Sequence, residues 1–72
     1  MPLTETQEKI IELIVEGNTN AQIAETLCFS VPKIKKDLRE IYKYYRIIAP
    51  AETKRSILVR EVVKTEMTKL MM

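Results

Sequence analysis

Three helix-start signals crowd into the first part of the chain, and they restrict it to short helices broken at fixed points. Thr4 is followed three residues later by Gln7, and Thr19 by Gln22. In each pair the hydroxyl can accept from the N3 amide while the glutamine reaches back to the N-cap N–H, the reciprocal arrangement of a capping box. Ser30, a favoured N-cap residue, is followed by Pro32 in the first turn, where a missing N–H costs nothing.

Apolar residues recur at helical spacing behind each start. Ile10, Ile11, Leu13, Ile14 and Val15 precede Gly17, a residue suited to the left-handed conformation just past a helix end, and they predict a helix over 5–16. Ile23, Ala24 and Leu27 predict a short second helix over 20–27. Ile34, Leu38, Ile41, Tyr42 and Tyr45 form one apolar stripe on a third helix over 31–45. Pro50 disfavours helix at Ala49, which makes 47–51 a linker. A fourth helix over 52–69 carries Ile57, Leu58, Val59, Val62, Val63, Met67, Leu70 and Met71. The expected fold class is all-α: one domain of four helices, because 72 residues support only a single simple core.

Composition removes several function classes. No stretch approaches the roughly 20 apolar residues of a membrane span, and no leader pattern precedes the first helix, so we expect a cytoplasmic chain without membrane contact. One cysteine and no histidine leave no disulfide framework and no zinc-ligand spacing, so neither metal nor cofactor is expected. Cys28 reads as a small, semi-buried turn residue. Without histidine or an activated nucleophile, an enzyme has no evident site. The net charge of +2 says little, but its distribution says more. Residues 33–46 carry six Lys/Arg against Asp37 and Glu40, whereas residues 1–32 carry five Glu against one Lys.

Two helices joined by a short turn, the second basic on its outer face, make a helix-turn-helix that fits a helix into the DNA major groove; here it spans 20–45. Lys33, Lys35, Lys36, Arg39 and Lys43 all lie off the apolar stripe, so packing the stripe inward turns these charges outward. Lysine and arginine neutralise phosphates and read the O6 and N7 acceptors of guanine.

At Leu3, Thr4, Gly17, Thr19, Asn20, Ile23, Ala24, Leu27, Phe29, Ser30, Ile34, Lys35, Leu38, Ile41 and Tyr42 the chain resembles the LuxR/GerE-type helix-turn-helix family. The resemblance covers residues 3–45. It implies four helices, base reading from Lys35, Lys36 and Arg39, backbone contacts from Thr19, Asn20 and Lys33, and dimerisation through the fourth helix. Lys43 joins the interface from its charge and position. The chain departs from the family pattern at Gln7, Lys33, Asp37 and Tyr44-Tyr45; a carboxylate at Asp37 is expected to face phosphate and weaken binding unless it accepts a bond from Lys33 or from a DNA amino group. With nothing but Met1 and Pro2 before Leu3, a stand-alone regulator is expected.

The expected function is thus sequence-specific binding of double-stranded DNA in transcription regulation. The rival is a protein-interaction module that modulates another regulator or an RNA polymerase subunit, which the acidic first half favours. On the fourth helix the apolar residues cover about twice the arc one buried face needs. Val59, Val63, Met67 and Leu70 are accordingly expected to join two copies in a homodimer.

Overall fold

The computed structural model is all-helical, with α1 at Glu5–Val15, α2 at Asn20–Leu27, α3 at Val31–Tyr44 and α4 at Ala51–Met71. It describes residues 2–71, and of these the side chains of all but 51 and 66–71. The first three helix starts are those expected. Thr4 Oγ1 accepts from the Gln7 N–H at 3.1 Å while Gln7 Oε1 accepts from the Thr4 N–H at 3.1 Å. Thr19 and Gln22 repeat the exchange at 3.1 and 2.8 Å, and Ser30 Oγ accepts from the Lys33 N–H at 3.3 Å. Each satisfies amide donors that a helix N-terminus would otherwise leave orphaned.

All three short helices stop in the same way. Past α1, Gly17 at φ +94° lets its N–H reach the Ile14 carbonyl and the Asn18 N–H reach that of Leu13, a Schellman motif. The identical pattern follows α2, with Cys28 at φ +60° as the left-handed residue, and α3, with Arg46 at φ +56°. Only the first of these stops uses glycine. The other two hold an L-residue in a region that Cβ sterics disfavour. This geometry corrects the expectation for Cys28, which is exposed and terminates α2 rather than sitting half-buried.

The reversals fold the helices over an isoleucine-rich core. Ile10 and Ile14 of α1, Ile23 of α2, Ile34 and Ile41 of α3 and Leu58 of α4 are all buried. Helix α1 touches each of the other three, and α2 packs closely along α3. Leu13 is only half-buried and Val15 is exposed, so the inward stripe of α1 is narrower than its run of apolar residues. In the linker Ile47 turns inward while its neighbour Ile48 is 96% exposed. Helix α4 begins one residue earlier than expected, since the Pro50 carbonyl accepts from the N–H groups of both Thr53 and Lys54.

Replacing Cys28 by glycine should stabilise the domain. Relief of the left-handed backbone is worth about 1–2 kcal/mol, against about 0.4–1 kcal/mol lost to greater unfolded-chain freedom. The expected net gain of about 0.5–1 kcal/mol would appear as a higher urea midpoint, and Cys28→Ala should show no such gain.

Candidate nucleic-acid interface

The outer side of α3 is set by what the inner side takes. Ile34, Leu38 and Ile41 fill the core stripe, so the positions between them face solvent. Lys35, Lys36, Arg39 and Lys43 are exposed, and none of the four has an ion-pair partner among the described residues. Four uncompensated cations thus lie along one helix.

Both acids of α3 are engaged elsewhere. Asp37 is 5% exposed, and its Oδ2 accepts from Lys33 Nζ at 2.9 Å, one turn back along the helix. Glu40 Oε2 accepts from Gln7 Nε2 at 2.7 Å, which ties α3 to the start of α1. Of the two expectations for Asp37, the bond from Lys33 is the one present: the carboxylate turns inward and is covered by that lysine instead of facing phosphate. Lys33 changes role with it. Its Nζ also lies 5.6 Å from the Phe29 ring centroid, so this cation is shared between a carboxylate and an aromatic face. Lys33 is less available to a phosphate than the other four.

Thr19 and Asn20 stand at the start of α2. Thr19 is exposed, with its hydroxyl committed to the Gln22 N–H. Asn20 is half-buried, and its Oδ1 accepts from Arg55 Nη1 at 2.8 Å, while Arg55 Nη2 donates to the Asn18 carbonyl. Arg55 had no place in the sequence reading, since the contact spans 35 residues and leaves no local signal. It pins α4 to the α1–α2 turn. It also sets a guanidinium beside the positive end of the α2 dipole, which adds to the electropositive character of that edge.

The basic surface extends past the residues expected. Arg39 and Lys43 continue into Arg46 and across the linker to Lys54, and these four cations ring a shallow cleft of about 270 Å3 with Tyr42, Ile47 and Ile48. Lys54 Nζ stands 5.6 Å from the Tyr42 ring centroid. Burial raises the Tyr42 phenol above its usual pKa, and the nearby Arg55 charge offsets part of that rise. Along α4, Val59 is half-buried against the core and Val63 is exposed. The side chains of Met67 and Leu70, the other two residues expected in a dimer contact, lie outside the described residues.

Compared with family models, with curated proteins and with solved structures, the chain shows no match. What the surface can do follows from its own chemistry. Unpaired cations in a row attract a polyanion; Asp37 is neutralised by Lys33, whereas Glu40, bonded only to a neutral amide, keeps its charge and offsets one of them.

Two outcomes test these assignments. Asp37→Asn removes the charge opposite Lys33, and because the lysine end is open to water the loss should be only about 1 kcal/mol in urea unfolding. Alkaline pH gives the second. The unfolded Tyr42 releases its proton near pH 10, and the folded one holds it to higher pH. Its contribution is therefore fully present below pH 10 and is lost as pH rises through the folded value. Urea midpoints should fall less steeply above about pH 10 in Tyr42→Phe than in the wild type.

Proposed function

We propose that the protein is a DNA-binding transcription regulator of the LuxR/GerE type that lays α3 in the major groove. The observation that carries this reading is the set of solvent-facing cations Lys35, Lys36, Arg39 and Lys43 on the second helix of a pair joined by three residues, with both acids of that helix engaged elsewhere. A three-residue turn fits the connection of a helix-turn-helix. Lys35 and Lys36 lie in the N-terminal half of α3, the part that meets base edges in such domains, and Arg39 lies one turn further along the same face. Lys43, Arg46 and Lys54 continue the charge to where the backbone would pass. They supply phosphate contacts that carry no sequence information.

In this reading the regulator acts in the cytoplasm, and two copies pair along α4 so that two recognition helices meet a palindromic site. The exposed Val63 supports the pairing. Val59, half-covered by its own core, contributes less to it.

Selection of random duplexes, followed by titration of variants on the enriched site, tests the proposal. Lys35→Ala and Arg39→Ala should each cost about 1–3 kcal/mol and relax preference at one base position. Lys43→Ala should weaken all duplexes alike and lower the salt slope by about one unit, and Lys33→Ala should change that slope less. Failure to enrich any sequence, with no salt-dependent affinity for duplex DNA, would refute the reading.

A further inference from the structure

Where α1 meets α4, the surface changes sign. A groove of about 410 Å3 opens between α1 and α4, floored by Ile11, Val15, Val62 and Val63 and edged by Glu8, Glu12 and Glu16. No lysine or arginine lines it among the described residues, and none of the three carboxylates forms an ion pair among them. Helix α1 has no basic residue in its last turn, and Glu16 is its C-cap. Carboxylates at the negative end of a helix dipole oppose α1's own stability, and a cation supplied from outside would relieve that repulsion.

We propose that this groove docks a basic amphipathic helix belonging to another protein. The floor is apolar and includes the exposed Val15 and Val63, so it offers a seat for bulky side chains. The rim decides the occupant's charge. Glu8, Glu12 and Glu16 recur every four residues, and two such steps extend about 12 Å along the helix axis. A row of lysines or arginines at the same spacing on a partner helix matches it, with leucine-like anchors at i, i+3 and i+4 entering the groove. DNA is excluded by the rim's sign. A small cation filling the floor would meet one or two of the carboxylates and leave the rest of the row unpaired. The inference does not rest on the basic face, since none of these residues belongs to it, but Val63 is shared with the proposed pairing along α4, so a partner helix and a second copy compete for it.

The test uses the full chain and a fluorescein-labelled amphipathic peptide of leucine and lysine, read by anisotropy. A scrambled peptide of equal charge and a glutamate-for-lysine version serve as controls. The combined Glu8→Gln, Glu12→Gln and Glu16→Gln variant, and separately Val15→Asp, should each weaken binding about tenfold or more. Their circular dichroism should stay close to wild type, since all four residues are exposed, and the duplex affinity of the glutamine variant should not fall, because loss of three carboxylates can only favour a polyanion. Unchanged peptide affinity in both variants overturns the proposal, as does equal binding of the scrambled peptide. Sedimentation supplies the remaining outcome. If the wild type is a dimer that Val15→Asp dissociates and that the peptide cannot displace, a second copy occupies the groove and the proposal is wrong.

Discussion

The structure depends on three left-handed residues. Helices of 11, 8 and 14 residues, as α1, α2 and α3 are, are marginal on their own in water, because one costly nucleus is spread over few hydrogen bonds. They persist here because each stops abruptly and turns the chain back across the same core. Gly17, Cys28 and Arg46 make those stops, and each lets two N–H groups satisfy carbonyls that the helix end would leave bare. Cys28 sets the approach of α2 to α3. Arg46 turns Ile47 into the core and leaves Ile48 in solvent. The strain at two non-glycine positions is the cost of that placement, and both flank α3, the helix that carries the basic face.

Charge is sorted by the same packing. Once the isoleucines of α3 are buried, Asp37 lies close enough to the core to be covered by Lys33, and Glu40 is held by a buried glutamine. Helix α3 then presents cations outward, although it contains two acids. Helix α1 does the opposite: its single lysine, Lys9, stands among Glu5, Glu8, Glu12 and Glu16. A net charge of +2 thus conceals two surfaces of opposite sign on neighbouring helices.

Much of this was legible in the sequence wherever the physics was local. Thr4, Thr19, Ser30 and Gly17 mark helix ends by chemistry confined to a few residues, and they place the first three helix starts correctly. The exposure of Lys35, Lys36, Arg39 and Lys43 follows from the stripe that excludes them. What could not be read depends on distant partners or on unfavoured conformations. Nothing near Asn20 announces Arg55, and nothing in Cys28 or Arg46 announces a left-handed backbone, which glycine or asparagine would have signalled. For Asp37 the sequence leaves two outcomes, exposure to phosphate or cover by Lys33 one turn back, and only the packing of α3 selects the second. Helix α4 carries apolar residues around most of its circumference. Only tertiary contact decides that Leu58 is buried while Val63 is not.

The two surfaces are not electrically independent. Packed helices lie about 8–10 Å apart, close to the Debye length of about 8 Å at physiological ionic strength. The acids of α1 therefore reduce the potential of α3, but only in part. On the DNA-binding reading they lower the encounter rate with duplex most at low salt, where screening is weakest. A basic segment lying across Glu8, Glu12 and Glu16 would cancel that opposition and add cations of its own. Linkage then requires the converse, that bound DNA strengthens the hold of the basic segment by the same factor. The coupling needs no change of shape, because it acts through the field of fixed charges. It also has a distinctive sign of its origin: raising the salt concentration should erase the cooperativity between the two ligands before it abolishes the apolar part of the groove contact.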